Sequence, residues 1–464
     1  MKARILVLRD RPRVATIASF ATFLPLFVWW LGWFPGLMSS DSIDQWNQTL
    51  TFEFYNAHPI SHTASLWAIS LFWESPGAVA LVQVVGMAAL LGIIAKRLAQ
   101  LGIPLWMSIG TVWLIAVLPM TAITTITIWK DIPFTLAMGW AFTELMLMAI
   151  DRERFWSHVT GPIRLGVALG AMWALRANGR YTVIVLGLAL AFAFRHHLRA
   201  TAAFGTAIVA VGIGVPTLLV AVLPVHDQPI EVAQVFMPDV AAVVVHAEQS
   251  LSQQDLALIA AVAPLDVWRT RYDCGDSSPL LFDESYDNRV IQQDPWGYRM
   301  LVLRAGLGAP GTVAGHRWCA GEYLVSPFNR TGTFVHRPPY DIWPNTLGLG
   351  REPISDRAFA ATDWMYRAVE TASIEWLTWR PAIYVLAGLG TFIGITARRR
   401  LRPLLWIALL FVVHLANVFI SSPSHEFRYA FGLYLISLAM LPVWYLIVDP
   451  ARSAISEPVS APGV

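Results

Sequence analysis

The sequence predicts a polytopic α-helical membrane protein with about ten transmembrane segments and an extracytoplasmic soluble domain inserted before the last three helices. Three observations carry that prediction. Of 464 residues, 56% are hydrophobic and only 14% are charged, outside the range of soluble globular chains. Apolar runs of spanning length recur along the chain. Lys and Arg gather in alternate connections, as short cytoplasmic loops require.

In chain order, apolar runs lie near 15 to 34, 77 to 95, 104 to 121 and 132 to 150. The first follows a basic flank, is too long for a signal h-region and lacks a small-residue cleavage site, so it is expected to stay as an anchor. The stretch from 163 to 194 would be about 48 Å long as one helix, against a hydrocarbon core of about 30 Å. Arg176-Ala177-Asn178-Gly179-Arg180 interrupts it, which predicts a hairpin of two short helices. Runs near 201 to 223, 381 to 396, 403 to 420 and 429 to 448 complete the set. With the N-terminus inside, this arrangement puts Lys2, Arg4, Arg9, Arg11, Arg13, Lys96, Arg97, Arg152, Arg154, Arg164, Arg195, Arg199 and the cluster from Arg398 to Arg402 on the cytoplasmic side. A single crossing at 163 to 194 would move Arg195, Arg199 and the Arg398 cluster outside, against the positive-inside rule.

The expected organisation is therefore a transmembrane core over 1–223, with a first outer loop at 35–76, then an extracytoplasmic domain over 224–380. C-terminal helices over 381–450 and a cytoplasmic tail at 451–464 follow. The 224–380 region holds 19 Asp and Glu against 12 Arg and no Lys, a composition suited to water. Both cysteines, Cys274 and Cys319, fall in it, and an oxidising compartment would join them. Closing that loop contributes roughly 4 kcal/mol by chain entropy; two free buried thiols are the alternative.

The net charge of +2 follows from the inside-positive bias and carries no polyanion signal. There is no Asp-x-Asp, no phosphate-cradling glycine loop and no G-x-S-x-G, so nucleotide-sugar, ATP and serine-hydrolase chemistry lack support.

Candidate site residues concentrate on the expected outer side. In Ser40-Asp41-Ser42-Ile43-Asp44-Gln45-Trp46, Asp41, Asp44, Gln45 and Gln48 share one helical face, which predicts an amphipathic helix at the membrane surface. Helix capping by the two carboxylates is the plainer account. His58 and His62 belong to the same loop. Few cations remain in the short outer loops: Lys130 beside Asp131, Arg176, Arg180, and Arg428 beside Glu426. A local ion pair, a solvated turn or a helix-to-helix bridge would explain each one separately. Together they suit an anionic lipid headgroup, whose phosphate needs charge-assisted donors at membrane depth. A carboxylate beside them stays ionised and can accept a hydroxyl proton as the oxygen attacks.

The motifs Ser40-Asp41-Ser42-Ile43-Asp44-Gln45, His58-Pro59, Trp129-Lys130-Asp131-Ile132-Pro133-Phe134, Leu175-Arg176-Ala177-Asn178-Gly179 and Glu426-Phe427-Arg428-Tyr429 resemble the GT-C glycosyltransferases, membrane enzymes that use polyprenyl-phosphate sugars. The resemblance is one of pattern, covers about 1–220 and 381–450, and looks most like an uncharacterised bacterial branch. It implies a plasma-membrane enzyme with an extracytoplasmic active site and both termini inside. Its partners would be a polyprenyl-phosphate sugar donor and a glycan, lipid or protein acceptor. Asp41 would act as general base with Asp44 as second candidate, and Lys130, Arg176, Arg180 or Arg428 would bind the donor phosphate. Some members use a divalent metal; two Asp and two His stand near the site, but no spacing defines a metal centre. A transporter or flippase of a lipid-linked glycan and a non-catalytic envelope assembly protein are the alternative classes.

Overall fold

The structure, a computed structural model, describes residues 12–227, 235–329 and 332–455. The basic flank from Lys2 to Arg11 and most of the expected tail lie outside the described residues. The chain is a polytopic helical membrane protein, and each expected apolar run coincides with a helix. Six helices among the described residues are long and apolar enough to span a bilayer: Arg13–Gly32, Pro76–Leu101, Asp131–Ile150, Leu198–Val222, Arg399–Ser421 and Phe427–Val448. A seventh span forms if Leu105–Val117 and Pro119–Ile126, bent by 61° at their junction, count as one. Pro119 accounts for that break, since its ring clashes with a continuing helix. The expected hairpin is present as Thr160–Leu175 and Gly179–Ala193. These two helices and Ala382–Thr396 are only 16, 15 and 15 residues long, shorter than the bilayer core demands of an upright span, and they separate the expected ten from the seven.

Local signals set the helix ends. Ser75 caps Pro76–Leu101 by accepting from the Gly77 amide, Pro76 occupies the first turn, and Gly102 closes the helix at φ 104°, the geometry that favours glycine there. Where Pro119–Ile126 ends, the carbonyls of Thr125 and Thr127 would be left bare. The side chain of Gln83, buried inside Pro76–Leu101, donates to both at 3.0 and 2.8 Å. A polar residue within a span is thus explained by the broken helix beside it.

The 224–380 region does not share one core. Met237, Val240, Trp268, Tyr298, Leu301 and their neighbours up to Ala309 form an apolar cluster of their own. Tyr323, Leu324, Val335, Tyr366 and Trp379 instead join the main core between the membrane helices. Cys274 and Cys319 are joined in a disulfide with Cα atoms 5.8 Å apart. Two short parallel strands, Phe54–Tyr55 and Val225–His226, tie the loop after the first span to the start of this region.

Candidate functional site

Three backbone segments flank the ends of spans Arg13–Gly32, Asp131–Ile150 and Phe427–Val448 that the Arg428–Asp41 pair brings together. Leu37 bridges Thr127, with Leu37 N donating to Ile126 O and Ile128 N donating to Leu37 O at 2.9 Å. Gly36 makes the approach at φ 108°, and a Cβ there would lie 2.9 Å from Ile126 O. That positive φ and tight contact require glycine. The third segment, 423–427, runs between two others: Ser277 N donates to Pro423 O, His425 N to Gly275 O, and His336 N to His425 O. Met38, Trp46, Leu66, Val79, Ile128 and Ile342 pack beneath the junction.

Helix Ser40–Thr51 stands on this platform. Its polar stripe does not face water as a simple surface helix would. Ser42, Gln45 and Gln48 are buried, whereas the apolar Leu50 is exposed, at 45%. The inward polar groups find partners: Ser42 Oγ donates to Ile128 O, and Gln45 Nε2 donates to Thr63 Oγ1 at 2.9 Å. The buried polar face is stable because each group is satisfied. Ser39 occupies the N-cap position without a side-chain cap, and its Oγ accepts from Trp129 Nε1 at 2.9 Å.

Asp41 is bound to a distant cation. Arg428 Nη1 donates to Asp41 Oδ2 at 3.1 Å across 387 residues of sequence. The same guanidinium pairs with Glu426 and lies 4.8 Å over the Trp129 ring and 5.2 Å from the Tyr429 ring centroid, so it is held from several sides. Glu426 also accepts from Ser424 Oγ and Tyr429 Oη at 3.0 and 3.1 Å. On the other flank, Lys130 Nζ meets His58 Nδ1 at 2.8 Å, and His58 Nε2 stands 4.0 Å from Asp41 Oδ1. An ammonium only donates, so Nδ1 accepts and the ring proton sits on Nε2, facing Asp41.

The electrostatics follow from this packing. Burial opposes the charged form of Asp41, but the Arg428 guanidinium, Lys130 and His58 hold its carboxyl well below the usual carboxylate range. Burial, with Lys130 beside it, pushes His58 down to about 4; burial likewise lowers His62 to about 3. Burial also lowers Lys130, against the pull of Asp41 and Asp131. Asp41 is therefore an anion and both histidines are neutral near neutral pH. The Asp41 side chain is 29% exposed, more open than Arg428 at 13% and His58 at 10%.

The remaining sequence candidates are held by other partners. Asp44 accepts from Tyr55 Oη at 2.7 Å and Gln48 Nε2 at 3.0 Å, so its carboxylate is bound by neutral donors rather than by the cations. Arg176 pairs with Asp131 at 2.7 Å, the two side chains 8% and 0% exposed. Arg180 lies 5.1 Å over Tyr181 and donates to its hydroxyl. His62 is buried in helix Ile60–Ser70 behind His58. Trp129, Tyr429, Tyr55, Ser39 and His425 were not singled out from sequence. The first two flank the basic residues in the quoted motifs, which was the available signal; the others depend on pairing between distant segments. Among the described residues no three His, Cys, Asp or Glu side chains converge as metal ligands. The groups beside Asp41 and His58 are two cations, which a divalent ion would repel, so the residues present do not fit a metal centre.

Residues 44–282, just over half of the chain, match the model of a family of unknown function (DUF6020); the stretch includes His58, Lys130 and Arg176 but neither Asp41 nor Arg428. No curated protein matches the chain. Among solved structures, the S. cerevisiae protein O-mannosyltransferase Pmt1-Pmt2 complex bound to the sugar donor is similar at a TM-score of 0.37 and 14% identity. That match covers 51% of this chain and 38% of that one.

Proposed function

The chain belongs to the DUF6020 family, and we propose from its own site that it is a membrane glycosyltransferase moving a sugar from a polyprenyl-phosphate donor to an extracytoplasmic acceptor. The acceptor is a cell-envelope glycan, a lipid or a protein. The observation that carries this reading is the meeting of Asp41, His58, Lys130, Glu426 and Arg428 from four distant segments at the end of three spans. Ionisable groups at that depth are costly and mark a working site.

In the reaction, the acceptor oxygen attacks the anomeric carbon as the bond from that carbon to the phosphate oxygen breaks, with inversion. The acceptor proton passes to Asp41, and the charge growing on the departing phosphate is met by Arg428 and Lys130. His58 orients Asp41 and Lys130 through its two ring nitrogens, Glu426 holds Arg428, and Asp44 fixes the helix that carries Asp41. Arg176 and Asp131 support the floor of the site, and Arg180 and His62 stand behind it.

The site faces outward in this reading, with about ten membrane crossings, both termini inside and the 224–380 region outside. Aromatic side chains at that end support a membrane boundary there: Phe72 and Trp73 precede span Pro76–Leu101, and Trp376 precedes Ala382–Thr396, all exposed, as in interfacial belts. The disulfide suits an oxidising exterior.

Asp41→Asn tests the reading in cells lacking the native chain, with envelope glycans compared by mass spectrometry. Loss of the dependent glycan at normal expression is expected, a drop of about a thousandfold in transfer. Full restoration of the glycan would sink the general-base assignment and favour a flippase or an assembly protein.

A further inference from the structure

On the reading that this site takes a lipid-linked phosphate, we propose that Asp41 and Glu426 occupy the places of that phosphate in the free protein, so that donor binding and release of the base are one event. Arg428 is the pivot. Its guanidinium donates to two carboxylates of this chain, Asp41 and Glu426, and at 3.5 Å to the Tyr429 hydroxyl, and it lies against the rings of Trp129 and Tyr429. A carboxylate and a phosphate can each accept two N–H bonds from one guanidinium. Lys130 is turned to His58, whose other ring nitrogen stands 4.0 Å from Asp41.

A carboxylate clamped in this way is a poor base. The ion pair with Arg428 that keeps Asp41 ionised also withdraws it from a hydroxyl proton. The clamp is released by an anion that competes for Arg428 and Lys130. Once a phosphate takes those donors, Asp41 loses its cation and gains a negative neighbour, and both changes raise its basicity. Asp41 is more open to its surroundings than Arg428, Glu426 or His58, so it can turn toward an acceptor. The base is thus switched on only when a donor is in place, and an acceptor hydroxyl is not deprotonated in an empty site. Asp44 has no part in the exchange, because Tyr55 and Gln48 hold it.

The consequence is an inverted effect of mutation: removing the catalytic carboxylate should strengthen phosphate binding. The full chain in detergent, titrated with farnesyl monophosphate as probe, is expected to bind about tenfold more tightly as Asp41→Asn than as wild type. Asp44→Asn removes the same charge from the same helix and should stay within about twofold. Inorganic phosphate should show the same ordering, since the headgroup is the competing part. Unchanged or weaker binding in folded Asp41→Asn overturns the proposal. So does equal tightening in Asp44→Asn, or a gain confined to the prenyl probe. If Asp41→Asn is not recovered folded, Glu426→Gln decides in the same way, tighter binding supporting the proposal and unchanged binding overturning it. The two failures are separable. Lost glycan transfer without tighter binding leaves the general base standing and removes the clamp; full transfer in Asp41→Asn removes both.

Discussion

Arg176 and Arg428 both lie against one tyrosine ring, with guanidinium carbons 4.7 and 5.2 Å from the Tyr429 centroid, yet they belong to two different kinds of site. Arg176 is sealed: its partner Asp131 is fully buried, and the Phe134 ring lies 5.6 Å away. Arg428 is shared between Asp41 and Glu426, and Asp41 is partly open. A closed pair holds helices Asp131–Ile150 and Thr160–Leu175 in register, and an incoming anion cannot enter without breaking it. An open pair exchanges partners at far lower cost. Both arginines look alike in the sequence, as cations next to an apolar run. Depth and partner separate them.

The strongest way to break this comparison is to delete each arginine. Arg176→Ala leaves Asp131 buried without a cation, and is expected to lower stability by about 3 to 5 kcal/mol. Arg428→Ala leaves its carboxylates nearer to open space; it should fold and raise the donor KM far more than the acceptor KM. Thermal unfolding and initial rates at varied donor check both. An Arg176→Ala protein that is stable yet poor in donor binding would place Arg176 with Arg428 after all.

A second contrast concerns how the two sites are held. The sealed pair is gripped by packed helices, whereas Glu426 and Arg428 follow a loop that depends on the disulfide region. His425 N donates to Gly275 O, its imidazole Nε2 lies 2.9 Å from Cys319 O and its ring stacks on Tyr323. Gly275 and Cys319 are thus linked through Cys274–Cys319 on one side and through His425 on the other. The double substitution Cys274→Ser with Cys319→Ser is expected to cost about 2 to 4 kcal/mol in stability. It should also raise donor KM severalfold without disturbing the Arg176 pair. Unchanged donor KM in the double variant would mean that the loop keeps its place without the disulfide.

The same contrast explains what could be read in advance. Apolar runs and basic loops are local signals, and the runs coincide with the six spanning helices among the described residues and with the two shorter helices broken at Arg176-Ala177-Asn178. Asp41, Lys130 and Arg428 were legible as a group because topology puts them at the same ends of their helices. The partner of Arg176 was not legible, since Asp131 and Lys130 are neighbours in sequence and only the helix turn decides which faces inward. Nor was the inward turn of Gln45 and Gln48, which is set by Thr63, Tyr55 and the backbone beneath. The division within 224–380 depends on which aromatic residues reach the membrane core, and no periodicity marks Tyr323, Tyr366 or Trp379 for that role.

His58 gives the smallest and most selective test of the open cluster. Its folded pKa of about 4 lies below the ordinary value of 6.5, because burial and Lys130 disfavour the imidazolium. Between those values the unfolded chain binds a proton that the folded chain does not, so stability is full above about pH 6.5 and falls as pH drops toward 4. Asp41 acts in a different window. Its carboxyl is depressed, and its contribution is lost only as pH falls below the ordinary carboxylate value of 3.8. Replacing His58 by Gln removes the first window and leaves the second. Between neutral pH and about pH 5 the variant should lose less stability than the wild type by on the order of 1 to 2 kcal/mol, read as a flatter dependence of Tm on pH. A slope unchanged by His58→Gln would mean that His58 gains its proton as readily in the folded protein as in the unfolded chain. In that case Lys130 would not be its donor, and the ring proton on Nε2 that orients Asp41 would lose its support.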